Sequence, residues 1–194
     1  MSIMFIFIKK YWLLILISLM ASLFIVNNVL ESRQPSPNIP TPISTSTATY
    51  RSLLPGASTQ DEVNELLGFP LKEGEQNGDK IAEYESTNKY RNHIITFENG
   101  KIALVREIVN STDGKNSDTI TNEYGEPPYI LYDQYPAATF HLYVYPQNGI
   151  AFLGHEDKTL LEIWYFEPMT IDEFINKWGG GYGKEKPKGP TTGY

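Results

Sequence analysis

The residues of this sequence that could do chemistry are few and dispersed. Histidine occurs three times, as His93, His141 and His155, and no pair has the close spacing that brings two imidazoles to one metal ion. No serine lies in a G-x-S-x-G nucleophile motif, and no glycine-rich phosphate loop is present. We therefore predict no catalytic residue, no cofactor and no metal site. Paired carboxylates for glycoside hydrolysis stay open as a less favoured alternative, because any acidic chain carries such pairs.

Composition narrows the classes of function further. The chain has no cysteine, which excludes disulfides, thiolate catalysis, Cys-based zinc sites and a lipid-attachment cysteine. From Tyr50 onward, 13 Lys and Arg residues against 22 Asp and Glu residues give a net charge of −9. Such a domain repels phosphate backbones, so we expect no nucleic-acid partner.

Aromatic side chains are the strongest remaining signal, and they concentrate in the C-terminal half. Tyrosine and tryptophan supply large contact areas and are enriched at protein interfaces. Most of these rings are expected in the core of a small α+β domain. The others would form an exposed aromatic sheet face that binds a protein, with Tyr143, Tyr145 and Tyr165 as the candidate residues.

A short capped helix introduces each half of the folded region. In STQDEVNELLGFP (58–70), Ser58 or Thr59 caps a helix whose apolar face is Val63, Leu66 and Leu67, and Gly68 and Pro70 end it. In SDTITNEYGEP (117–127) the same pattern returns 57 residues later, with Ser117 or Asp118 as the cap. Each half would be too small to fold alone, so the two are expected to share one core.

Strand patterns follow each helix. The first half predicts three strands, at 80–86, 93–97 and 102–109, with an Asn-Gly hairpin turn at Asn99-Gly100. The second half predicts four, at 129–133, 139–145, 150–154 and 160–166. A closing helix at 170–178 begins at Thr170. We predict an α+β fold: two tandem helix–β-meander repeats, about 50–110 and 111–178, form one antiparallel sheet with the short helices on one face.

The N-terminal region predicts a membrane anchor. Residues 11–30 carry no charge and are long enough to cross a bilayer as a helix, so residues 1–30 read as a signal anchor rather than a cleaved signal peptide. Lys9 and Lys10 favour a cytoplasmic N-terminus, with the folded domain outside the cytoplasm. Residues 31–49 read as a Pro/Ser/Thr-rich linker, and residues 179–194 as a disordered tail.

The segment LLPGASTQDEVNELLGFP (53–70) with the following strands resembles the superfamily of BamE (SmpA/OmlA) and the β-lactamase inhibitor proteins. Gly56, Thr59 and Glu62 match its pattern, as does the helix ending in Leu66, Leu67, Gly68 and Pro70. The second copy departs from it, with Glu123-Tyr124 in place of the Leu-Leu pair. The resemblance implies a protein-binding module and not an enzyme, and it carries over no partner.

Together these features predict a non-catalytic protein-binding module of the cell envelope, anchored through residues 11–30, whose partner is a protein or an envelope component. The alternative is a structural or stabilising subunit of a membrane complex that acts through its transmembrane helix.

Overall fold

The structure is a computed structural model that describes residues 46–135 and 137–187. The predicted anchor at 11–30 and most of the predicted linker fall outside these residues. Within the described part of the chain, no helix has the length and apolar character to span a membrane.

Three α-helices and nine strands make up the described region, in the order of an α+β fold with an antiparallel sheet. They are α1 Gln60–Leu67, β1 Lys72–Gln76, β2 Asp79–Tyr84, β3 His93–Glu98, β4 Lys101–Ile108, α2 Ser117–Tyr124, β5 Tyr129–Asp133, β6 His141–Tyr145, β7 Ile150–Gly154, β8 Leu160–Phe166, α3 Ile171–Lys177 and β9 Tyr182–Gly183. A 3₁₀ turn, Ser111–Asp113, precedes α2.

The sheet consists of two four-stranded meanders that meet at its centre. Its strand order is β1-β2-β3-β4-β8-β7-β6-β5-β9, and all neighbours are antiparallel. Repeat one is α1 with β1–β4, and repeat two is α2 with β5–β8. The elements α2, β5 and β7 begin 57 positions after α1, β1 and β3, respectively. The arrangement of one helix followed by four strands therefore occurs twice in the described region.

The helix starts follow the predicted capping chemistry. Thr59 caps α1 and Thr170 caps α3, each in a reciprocal capping box with a glutamate three residues later. The cap of α2 is Asn116, one residue before the predicted candidates. Gly68 ends α1 with φ 81° and ψ −174°, so it uses glycine's freedom at positive φ without adopting the usual left-handed helical conformation.

The prediction of three strands in repeat one is wrong, because β1 was missed. Its sequence KEGEQ has no apolar residue and every position is exposed, so no period-two pattern could reveal it. The turn into β2 is Asn77-Gly78, with φ 55° and 88°, and the predicted Asn99-Gly100 turn has the same double positive φ.

Helices cover both faces of the sheet, so the prediction that all of them lie on one face is wrong. Neighbouring residues of a strand point to opposite faces. Ile163 and Tyr165 of β8 pack in a core with Val63 of α1 and Ile120 of α2, on what we call the α1/α2 face. The residue between them, Trp164, packs with Phe174 of α3, on the α3 face.

The folded region extends past both predicted boundaries. Ala48 is buried, and its N–H donates to the carbonyl of Asn148 at 2.8 Å, so residues before Tyr50 belong to the fold. At the other end, Tyr182 and Gly183 pair with β5, which corrects the prediction that a disordered tail starts at residue 179. These two residues cover part of the outer edge of repeat two.

Candidate functional site

An open groove lies on the α3 face, over the strands of repeat one, with a volume of about 580 Å³. Two rows of cross-strand neighbours form its floor. The first row is Gly74, Ile81, Thr96 and Leu104. The second row is Lys72, Glu83, Ile94, Arg106 and Trp164. The edge strand β1 forms one wall, and the C-terminal end of α3 forms the other.

An ion pair connects the end of α3, which forms this wall, to strand β3. Lys177 Nζ lies 2.7 Å from Glu98 Oε2, and both side chains are partly exposed. Trp178 follows Lys177 and presents a second indole to the groove beside Trp164. The groove therefore has a floor of mixed apolar and charged side chains and borders that are aromatic and charged.

A buried charge network holds the end of the groove floor in place. Glu162 of β8 is 2% exposed and accepts hydrogen bonds from Arg106 Nε at 3.0 Å and Nη2 at 2.8 Å, from Arg91, and from Trp164 Nε1 at 2.8 Å. The Arg106 guanidinium also lies 5.0 Å from the centre of the Trp164 ring, within cation–π range. The carboxylate thus fixes both the arginine and the indole that line the groove.

The pKa of Glu162 shows that this network favours the charged carboxylate. Burial alone would raise the pKa, because it removes the carboxylate from water. The charge of Arg106 and the hydrogen bonds from Arg91, Arg106 and Trp164 outweigh burial and lower the pKa below its usual value. Glu162 is therefore ionised at neutral pH despite its position in the protein interior.

The predicted site tyrosines lie in the interior, on the α1/α2 face. Tyr145 and Tyr165 are 2% and 9% exposed, and Tyr143 is half-buried and stacks on Phe152 at 4.7 Å between ring centroids. The expected exposed aromatic face is not formed by these residues, because helices cover both faces of the sheet at β6 and β8. Their role in binding stays a prediction, and the exposed candidates lie elsewhere.

The hydroxyls of two of these tyrosines have partners within the fold. Tyr145 donates to the carbonyl of Gly125 at 2.7 Å and so ties β6 to the end of α2. Tyr165 donates to Glu107 at 2.9 Å, and Glu107 also pairs with Lys115 at 2.7 Å. Burial and the adjacent carboxylate raise the pKa of Tyr165 far above its usual value.

The three histidines do not converge. His93 begins β3 and accepts a hydrogen bond at Nδ1 from the Ile108 N–H at 3.0 Å. His141 lies against the Tyr132 ring at the start of β6, and His155 contacts Asp157 in the turn after β7. Among the described residues, no group of three or more histidine or acidic side chains is arranged to hold a metal ion.

Three exposed apolar side chains, close together in the sequence at and after the end of α1, were not predicted from the sequence. Leu66, Phe69 and Leu71, which we call the apolar tip, are 51%, 88% and 62% exposed. Leu66 had been assigned to the buried face of the helix together with Val63, but only Val63 is fully buried. The exposure of these residues could have been inferred by comparing the two halves of the sequence. The positions 57 residues later are Glu123, Glu126 and Pro128, which are exposed, and two of them are charged.

Comparison with known proteins shows only weak similarity. No protein-family model and no curated protein matches the chain. A solved structure of a DUF4309 family protein from Bacillus subtilis aligns over 60% of this chain and 84% of its own, with 17% identity and a TM-score of 0.43. A cysteine-rich secretory protein from Staphylococcus aureus aligns over 75% of this chain and 55% of its own, with 11% identity and a TM-score of 0.43.

Proposed function

We propose that this chain is a non-catalytic protein-binding module of the cell envelope, held at the membrane by the helix predicted at 11–30. The folded domain would lie outside the cytoplasm, and the apolar tip would contact the partner. The observation that carries the proposal is the exposure of Leu66, Phe69 and Leu71 within six residues of chain.

The apolar tip has no evident role in folding. Scattered exposed apolar residues are normal on a protein surface, whereas a group of large ones marks an interaction site more often. The phenyl ring of Phe69 is almost fully exposed, so it contributes little to the core. Repeat two carries glutamates at two of the three corresponding positions and forms a helix of the same length, so such a helix can end without apolar side chains there.

The surroundings of the apolar tip favour a protein as the partner. The tip leads directly into β1, the edge strand that forms one wall of the groove. The apolar tip and an edge strand with no described neighbour on its outer side thus adjoin at one end of the sheet, and the groove extends from this strand across the α3 face. The resemblance to the superfamily of BamE and the inhibitor proteins, which implies protein binding, supports the same proposal.

Site-specific photocrosslinking of the full-length chain in its native membrane tests this proposal. A photoreactive phenylalanine analogue at position 69 should form an adduct with a protein. The same analogue at position 126, the exposed counterpart in repeat two, should form none and serves as the control. Adding Leu66→Glu should reduce the yield of the adduct at position 69 without unfolding the chain.

Other outcomes would overturn the proposal. Equal adducts at 69 and 126, or adducts with lipid alone at 69, would show that the apolar tip is not a protein-binding surface. Protein adducts confined to probes within 11–30 would instead support a subunit that acts through its transmembrane helix.

A further inference from the structure

The two outer edges of the sheet differ in a way that suggests how a partner binds. At the edge of repeat two, the chain adds its own short strand β9 to β5, pairing Tyr182 with Asp133 and Gly183 with Tyr132. At the edge of repeat one, β1 pairs with β2 on one side, and none of the described strands lies on its other side. Among the described residues, β1 is therefore open at the edge that corresponds to the one β9 covers on β5.

The side chains of β1 favour an added strand with positive charge. Glu73 and Glu75 alternate with Lys72, Gly74 and Gln76, and all five are exposed. Glu73 lies on the side of α1, where its carboxylate accepts a hydrogen bond from Gln60 at 2.8 Å and pairs with Lys80 at 2.8 Å. Glu75 has no ion pair among the described residues. Opposite charges on directly facing strand residues attract, so a lysine or arginine on the added strand would be stabilised most strongly opposite Glu75. The effect opposite Glu73 would be smaller, because Lys80 already balances that carboxylate.

The other face of the same edge favours apolar side chains. Gly74 lies opposite Ile81 in the first row of the groove floor, and a Cβ added to Gly74 would meet nothing within 4 Å. This glycine leaves the half-buried Ile81 uncovered beside the edge. Every second side chain of an added strand would point to this side of the sheet, toward the groove.

A second copy of the chain is disfavoured as the occupant. In a twofold-symmetric antiparallel pairing centred on Gly74, Glu73 of each copy would face Glu75 of the other. Centring the pairing on Glu73 or on Glu75 would place that glutamate opposite itself. Like charges directly opposite each other destabilise strand pairing, and charged edges are a known protection against self-association.

We infer that β1 receives an extended segment of another protein by strand addition, and that this segment alternates basic and apolar residues. This inference rests on the proposed binding function and specifies the chemistry of the partner. Main-chain hydrogen bonds to the open edge would supply affinity, and the alternating side chains would supply selectivity, as in other complexes formed by strand addition. The apolar tip would contact the partner beyond the end of the added strand.

The test uses defined peptides and the purified full-length chain in detergent. The probe is an acetylated and amidated eight-residue peptide of alternating lysine and valine, and binding is followed by backbone amide NMR shifts and by titration calorimetry. We expect shifts concentrated at residues 72–76 and a measurable affinity. N-methylation of alternate peptide nitrogens removes the donors along one edge of the peptide and should weaken binding by at least about tenfold.

Charge exchange provides the matched control. Glu75→Lys should weaken binding of the lysine peptide by about three- to tenfold and should improve binding of a glutamate–valine peptide. Glu65→Lys makes the same change of charge on the exposed side of α1, off the edge, and should have a much smaller effect.

Each other outcome overturns the inference. Absence of binding, binding that is insensitive to N-methylation, or equal effects of Glu75→Lys and Glu65→Lys would exclude strand addition of a basic segment at β1. A protein adduct at position 69 together with any of these results would leave the proposed function standing while this inference fails. Peptide binding at β1 without a protein adduct at position 69 would support strand addition and would contradict the proposed contact at the apolar tip.

Discussion

The two repeats have the same secondary structure and opposite surfaces. In repeat two the α3 face is covered, because Phe174 of α3 packs on Phe166 with ring centroids 4.7 Å apart. In repeat one the corresponding area is the open groove. The outer strand of repeat two is partly covered by β9, whereas no strand of the described region covers that of repeat one. The helix end of repeat two carries Glu123 and Glu126, whereas that of repeat one carries Leu66 and Phe69.

In all three differences, the surface of repeat one is the more exposed or the more apolar. One copy of the unit has been completed by the C-terminal segment, which supplies α3 and β9. In the part of the chain that the structure describes, the other has an apolar tip, an outer edge without a paired strand and a groove on the α3 face. Both halves form a four-stranded meander, so a meander of this kind can form without the features that distinguish repeat one.

The largest expected effect on the free energy of unfolding comes from weakening the packing of α3 on repeat two. Phe174→Ala deletes a fully buried ring that packs between Phe166 and Trp164. We expect the free energy of unfolding to fall by about 3–5 kcal/mol, the usual cost of deleting a buried phenyl ring. Urea unfolding of the full-length chain in detergent measures it.

The matched control is Phe69→Ala, which removes the same atoms from the apolar tip. Its effect on the free energy of unfolding should stay within about 0.5 kcal/mol, because the ring is 88% exposed. Similar losses for the two variants would show that the apolar tip is part of the core and would remove the contrast between the repeats.

A smaller effect is expected from the charge network that joins the repeats. Glu162 belongs to β8, while Arg91 and Arg106 belong to repeat one. Glu162→Gln keeps the shape but removes the charge, and we expect it to lower the free energy of unfolding by about 1–2 kcal/mol at neutral pH. This is less than for a fully buried pair, because the two arginine side chains are 44% and 33% exposed.

The effect of Glu162→Gln should depend on pH. The pKa of Glu162 is lower in the folded chain than its ordinary value of 4.5, so its stabilising contribution is fully present above that value and is lost as the pH falls through the folded pKa. The difference between the native chain and Glu162→Gln should therefore shrink on acidification. A difference that stays constant down to pH 3 would contradict the assignment of charge to this carboxylate.

The sequence predicted the elements well where a local signal exists. The capping boxes at Thr59 and Thr170 and the bounds of β5, β7 and β8 follow from residue type and short-range pattern. β1 was missed because an edge strand exposed on all sides has no apolar residue to create a period. Because every residue of β1 is exposed, the strand lacks the alternation of apolar and polar residues from which strands are predicted.

The candidate site was harder to predict because long-range pairing creates it. The groove floor depends on the pairing of β4 with β8, which joins Arg106 to Trp164 across 58 residues of sequence. Tyr165 follows Trp164 in the sequence but points to the opposite face of the sheet. Tyr165 packs on the α1/α2 face and Trp164 on the α3 face, and residue type alone does not indicate on which face a helix lies. Aromatic content alone could not distinguish core tyrosines from exposed ones.

The smallest effect on stability, and the sharpest test of the comparison, comes from transferring the apolar tip to repeat two. Glu123→Leu with Glu126→Phe copies Leu66 and Phe69 onto the corresponding exposed positions, and we expect a change in the free energy of unfolding within about 0.5 kcal/mol. If binding needs the tip together with the open edge and the groove, these changes should not restore partner capture to a chain that carries Leu66→Glu and Phe69→Glu. The measurement is the yield of protein adduct from a photoreactive analogue at position 71 in the native chain and at its counterpart, position 128, in the transferred one. Restored capture would mean that the apolar residues suffice by themselves, and that the covered edge of repeat two is no obstacle to binding.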